Sequence, residues 1–127
     1  MNEREFQTKF IRWVKYIYKK TAVFELKLTK SNSLPFSILA PHQKEALLLS
    51  KHSILTHKIP DLGLRNPFDV FCVTNVLAFV VVMFYERGQK EFYLIDIDCW
   101  VKEEGLSKRK SLTKERAEQI GEKKILF

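Results

Sequence analysis

Two side chains between residues 22 and 29 are spaced to act together. Ala22, Phe24, Leu26 and Leu28 alternate with Val23, Glu25, Lys27 and Thr29. That period of two is a strand, so Glu25 and Lys27 leave one face about 7 Å apart. A carboxylate and an ammonium on one face make either a surface ion pair of little worth to stability or the acid and cation of a catalytic site. Asp69 is a second acid of interest. In Pro67-Phe68-Asp69-Val70-Phe71 it is flanked by apolar and aromatic residues, where a charge is costly to bury without a partner such as a metal ion. On an edge strand it would face water. Asp96 and Asp98 alternate along a strand-like run and read as a solvated strand face. Pro60-Asp61 reads as a turn, and His52 and His57 as surface residues without partners at metal spacing.

Basic side chains carry a different chemistry. The chain of 127 residues has 22 Lys and Arg against 15 Asp and Glu, a net charge of +7 and a pI near 9.5. The excess sits at the ends: residues 1–30 hold eight basic and three acidic side chains, and residues 105–127 seven and three. Such a distribution suits a polyanion partner. Lys108-Arg109-Lys110-Ser111 precedes an expected helix start, and phosphate suits both the cations and free helix N–H groups. Solvated charge is the alternative. Lys15, Lys19 and Lys20 add a second basic stripe. Neither group reads bases, so recognition would be of nucleic-acid backbone and shape.

The elements that must position these residues follow from periodicity. Phe6, Phe10, Trp13, Val14 and Ile17 form one face of an amphipathic helix over about 3–19. The strand 21–29 follows, then a Ser/Asn/Pro loop, and a helix from Pro41 to about His52. Residues 53–67 read as irregular. Strands over 68–73, 77–85 and 92–97 are expected to form a three-stranded meander, and a last helix runs from about Lys114 to Glu122. One α/β domain spanning 1–127 with a mixed central sheet results. The longest apolar run, 76–85, is half what a membrane-spanning helix needs, and the N-terminus has no signal-peptide pattern. Cys72 and Cys99 lie in apolar runs without CxxC or Cys/His spacing, so neither a disulfide framework nor a zinc site is expected. A soluble protein of a reducing cytoplasm is the expectation.

Glu25-Leu26-Lys27, then Pro35-Phe36, then Pro41-His42-Gln43 with Leu47 four residues on, together are far more specific than any one of them. The combination resembles the PD-(D/E)XK nuclease superfamily, in particular its Holliday-junction-resolvase-like group, and is concentrated in residues 23–50. The resemblance implies a restriction-endonuclease-like mixed sheet flanked by helices, and Mg²⁺-dependent (or Mn²⁺-dependent) hydrolysis of phosphodiester bonds in branched DNA. It also implies a homodimer, since a four-way junction has two symmetric cuts to make, and the cytoplasm of a bacterial or phage-infected cell.

Within that resemblance, Glu25 and the carbonyl of Leu26 are metal ligands, and Lys27 orients the attacking water or stabilises charge at phosphorus. Gln43 stands near the metal-bound water or phosphate. Glu5 is the acid of the first helix, although alignment by its Phe would place Gln7 there instead. The superfamily's acid upstream of the Glu-x-Lys strand has no counterpart, because no Asp or Glu lies between Glu5 and Glu25. Asp69 is expected to replace it, provided that its strand lies beside the Glu25 strand. The alternative function is a non-catalytic nucleic-acid-binding domain derived from the same fold. A protein-interaction domain, by contrast, predicts no salt-dependent DNA binding.

Overall fold

Helix α1 (Glu3–Trp13) opens on Asn2, whose Oδ1 accepts the Glu5 N–H at 2.8 Å, as a short polar side chain does at a helix start. It buries Phe6, Phe10 and Trp13. A π-helical stretch, Val14–Tyr18, prolongs it and ends at Lys19, which takes a left-handed φ of 54°. These are features of a computed structural model, which describes residues 1–59 and 68–127.

Strand β1 (Ala22–Thr29) follows, then the short β2 (Ser33–Pro35), a 3₁₀ turn at Phe36–Ile38, and helix α2 (Pro41–His52). The hairpin β3 (Ile54–Lys58) and β4 (Val70–Thr74) comes next, then β5 (Leu77–Phe84), β6 (Glu91–Asp96) and helix α3 (Ile97–Leu106). The chain closes with β7 (Ser111–Thr113), helix α4 (Lys114–Ile120) and β8 (Glu122–Ile125). The main sheet has the order β1-β5-β6-β8; β1 and β5 are parallel and the other pairs antiparallel. A parallel pair needs a crossover, and α2 lies within it.

β5 reads Leu-Ala-Phe-Val-Val-Val-Met-Phe, the unbroken apolar run of a strand covered on both faces. Val80, Val82 and Phe84 pack with Leu47, Trp100 and Ala117 of α2, α3 and α4. Val81 and Met83 pack on the other face with Phe6, Phe10 and Trp13 of α1. The mixed sheet flanked by helices is as expected.

Of the expected meander only the antiparallel pairing of β5 with β6 is formed. β4 pairs with β3 in a separate two-stranded sheet, because both edges of β5 are already taken by β1 and β6. Thr74-Asn75 is a turn, with Asn75 at φ 54°, but it leads β4 out of the hairpin and into the main sheet. β3 lies in a segment read as irregular. Its Ile54-Leu-Thr-His-Lys is mostly exposed, so backbone pairing rather than an apolar face defines it. The run through Asp98 is not a strand to its end. The Asp96 carboxylate accepts the Asp98 N–H at 2.9 Å and starts α3, which also puts Cys99 on an exposed helix surface. No described helix is long and apolar enough to cross a membrane.

Candidate active site

The odd-numbered residues of β1 face α2, and Glu25 and Lys27 are on that side. Lys27 is 7% exposed, and its Nζ lies 3.3 Å from Glu25 Oε1. The same oxygen accepts Gln43 Nε2 at 3.0 Å. Gln43 is held at its other end too, where its Oε1 accepts the Ala40 N–H at 3.0 Å. Ala40 has no side-chain acceptor of its own to offer a helix start, so Gln43, at the third helical position after Pro41, satisfies that backbone group from within the helix. One side chain thus both caps α2 and positions Glu25. His42, one residue before, is exposed.

The ion pair and the hydrogen bond both use Oε1; among the described residues nothing bonds to Glu25 Oε2. Glu25 lines a pocket of about 180 Å³ together with Leu26, Phe24, and Glu3 and Gln7 of α1. Glu3 and Gln7 are four apart and share a helix face, the stripe that continues to Phe10. Glu5 does not line this pocket and is exposed, on another face of α1. The helix-borne residues beside Glu25 are therefore Glu3 and Gln7. The 3.6-residue phase counted back from Phe10 identifies them, whereas proximity to Phe6 in sequence points to the wrong neighbour.

Asp69 is not brought to Glu25 through the sheet. The strand that follows it, β4, is in the separate hairpin, and β5 occupies the place beside β1. The Asp69 carbonyl accepts the Ile59 N–H at 2.7 Å, and the residue is exposed. Asp61 lies outside the described residues. No cluster of three or more His, Cys, Asp or Glu able to hold a metal occurs among the described residues. Two carboxylates, Glu25 and Glu3, and the Gln7 amide nevertheless form an oxygen-rich pocket wall. Mg²⁺ is bound through one or two carboxylates and keeps several waters, so this donor set suits such a hard cation.

The basic groups lie on both sides of the sheet. Lys108, Arg109 and Lys110 border a pocket of about 410 Å³ with Phe36, Ser37, Glu104 and Ser107, on the side of α2 and α3. Phe36 N–H bonds to the Lys110 carbonyl at 3.0 Å, and Lys44 Nζ reaches Glu104 Oε1 at 3.0 Å. The basic loop is therefore tied to the 3₁₀ turn before α2, and Lys44, one residue beyond Gln43, ties α2 to α3. It does not adjoin free helix N–H groups: β7 intervenes, and Thr113 Oγ1 already accepts the Arg116 N–H at the start of α4. Lys15 and Lys20 line a groove on the α1 side, and Lys19 is exposed at the end of the π-helical stretch.

Asp96 and Asp98 form a cluster with Lys51 and His52. Lys51 Nζ is 2.8 Å from Asp96 Oδ1 and 2.6 Å from Asp98 Oδ2, and His52 Nε2 is 2.8 Å from Asp98 Oδ1. Hydrogen bonding from Lys51 holds the Asp98 carboxyl below its usual range, against the opposing effect of burial, with His52 adding to the lowering. For Lys51, burial opposes the charge, but the hydrogen bonds to Asp96 and Asp98 outweigh it and raise its pKa. The cluster joins the end of α2 to the start of α3 and is structural. His52 thus has a partner that no spacing in the sequence reveals. Compared with protein-family models, curated proteins and solved structures, the chain matches none of them.

Proposed function

We propose that the chain is a metal-dependent DNA endonuclease of the PD-(D/E)XK kind, with a restriction-endonuclease-like sheet, acting on branched DNA as a homodimer. The observation that carries this reading is the convergence of Gln43 Nε2 and Lys27 Nζ on one oxygen of Glu25, at 3.0 and 3.3 Å. Three residues singled out for one chemistry, 18 positions apart in sequence, meet at one carboxylate. A surface ion pair needs neither a buried lysine nor an amide pinned at both ends.

Bound Mg²⁺ or Mn²⁺ supplies a water acidic enough to attack near neutral pH, and neutralises charge at phosphorus. Glu25, the Leu26 carbonyl and Glu3 would hold it, with Gln7 beside them. Gln43 and Lys27 fix the carboxylate through Oε1, which would orient it toward a bound cation. Lys27 brings a positive charge within reach of the reacting phosphate without the cost of reorganising solvent. The basic residues Lys15, Lys19, Lys20, Lys108, Arg109 and Lys110 hold the DNA backbone.

A second reading, a non-catalytic nucleic-acid-binding domain of the same fold, is favoured by the two-carboxylate wall, which lacks a third acid among the described residues. Cleavage separates the two. Labelled four-way junction, linear duplex and single-stranded DNA are incubated with Mg²⁺ or Mn²⁺ and wild type, Glu25→Ala, Glu3→Ala or Asp69→Ala. Metal-dependent cutting that Glu25→Ala abolishes and Glu3→Ala weakens, with binding intact, is the expected outcome. Loss in Asp69→Ala in place of Glu3→Ala would assign the second acid to the hairpin. Salt-sensitive binding with no cutting on any substrate would make the chain a binding domain.

A further inference from the structure

The α1 side of the sheet is not covered out to its edge. Phe24 and Leu26 stay half-buried on β1, and β1 pairs only with β5 among the described residues. The space beside them is an open groove of about 450 Å³, walled by Ile11 and Val14 and floored by Phe24 and Leu26. Residues 19–21 join α1 to β1 in a short turn, and both elements line the groove, with Gln7, Phe24 and Leu26 shared with the Glu25 pocket. The groove has two different ends. One carries Lys15 and Lys20. The other opens into the Glu25 pocket, since Gln7, Phe24 and Leu26 line both.

We propose that this groove is a slot for one unpaired nucleotide of the DNA strand that passes Glu25. The proposal rests on the nuclease reading for the path of the strand. Apolar walls of this volume suit a flat, weakly solvated body of small-molecule size, and a base would extend, irrespective of sequence, the aromatic cluster in which Phe24 stacks on Phe79 and meets Phe10 and Tyr18 edge-to-face. The lysines at one end complement phosphate, and continuity with the Glu25 pocket sets the next phosphate toward the acid. A base inside an intact duplex is stacked and paired and cannot enter without being extruded. The slot therefore selects strands with an unpaired base near the cut, as at a branch point or in a single strand, over blunt duplex.

Fluorescence anisotropy in EDTA tests this without any cutting, so its outcome is independent of whether the chain is a nuclease. A labelled single-stranded oligonucleotide and a blunt duplex of the same sequence are titrated with wild type, Ala22→Leu and Phe24→Leu. Ala22 lines the groove, so Ala22→Leu fills it from the strand side, while Phe24→Leu removes the aromatic face and keeps an apolar side chain. Each variant is expected to bind the single strand about tenfold more weakly, the loss of one stacked base, with duplex affinity unchanged. A 2-aminopurine in the single strand is expected to change its fluorescence on binding wild type and not on binding Ala22→Leu. Single-strand affinity unchanged in both variants, with native melting curves, overturns the proposal. An equal loss for duplex overturns it as well, since the groove would then be part of a general DNA surface.

Discussion

Lys27 has almost no access to water, and Glu25 is its ion-pair partner at 3.3 Å. Sequestering an ammonium costs free energy that one partly exposed carboxylate offsets incompletely. Under the proposed nuclease function, that cost is borne by the site and not recovered as stability. Lys27→Met is accordingly expected to melt no lower than wild type while cleavage falls by about 10² or more, the effect of removing one preorganised charge from a transition state. Thermal denaturation and initial cutting rates on the same preparation check both halves. Gln43→Ala differs, because Gln43 has two duties. Losing its bond to the Ala40 N–H is expected to cost about 1 kcal/mol of stability, and losing its bond to Glu25 frees the carboxylate and slows cutting. Gln43→Glu keeps the acceptor for Ala40 but sets a second carboxylate against Glu25, so it is expected to recover only part of the melting temperature and none of the rate. That Glu25 and Lys27 share a face was legible from strand parity, whereas the meeting of Gln43 with Glu25 was implied only by the family resemblance. Glu3 was not legible, since choosing among the acids of a helix requires the phase of the whole apolar stripe.

At the scale of elements, the errors cluster where polar side chains override apolar pattern. Ile95-Asp96-Ile97-Asp98 alternates like a strand, yet Asp96 bonds to the Asp98 N–H and begins a helix. Lys51, far away in sequence, fixes both acids. Since the Asp98 carboxyl is depressed, it stabilises the fold above its unfolded value of 3.8, and that contribution fades as pH falls through the lower folded value. Lys51 has the opposite sign: its raised pKa keeps its contribution through neutral pH, to be lost only at strongly alkaline pH. Asp98→Asn is therefore expected to lose about 0.5–1 kcal/mol at pH 7, in line with a partly exposed pair, and to converge with wild type only at a pH below the lowered folded value. Urea denaturation at the two pH values reads this. β8 was equally hidden, because Glu-Lys-Lys-Ile has no apolar alternation. Its position follows from Gly121, where a Cβ would meet Ile95 Cγ1 at 3.0 Å and the Leu94 and Ala117 carbonyl oxygens at 3.1 Å. Gly121→Ala is expected to destabilise by about 1–3 kcal/mol through this overpacking, with the residual folded protein binding DNA normally.

Across the whole molecule, the proposed function requires charge and sheet geometry together to set the course of a bound strand. The sheet divides the described residues into two packed faces, α1 on one and α2, α3 and α4 on the other. Lys15 and Lys20 stand on the first and Lys108, Arg109 and Lys110 on the second. Glu25 lies on β1, at the border of both. The uneven distribution of charge was visible in the sequence, but its division between two faces was not, because it depends on which strand stands at the edge. DNA that contacts both basic groups must cross that edge, and crossing it brings a phosphate past Glu25. Each phosphate contact contributes about 0.9 to the slope of log K against log salt. Replacing Lys108, Arg109 and Lys110 with Ala is expected to reduce that slope by about three, and replacing Lys15 and Lys20 by about two. If the strand crosses the edge, the combined variant loses the sum of the two reductions in a salt titration of junction DNA. If DNA instead lies on one face alone, one of the two sets leaves the slope unchanged, and Glu25 is then reached from that face rather than across β1.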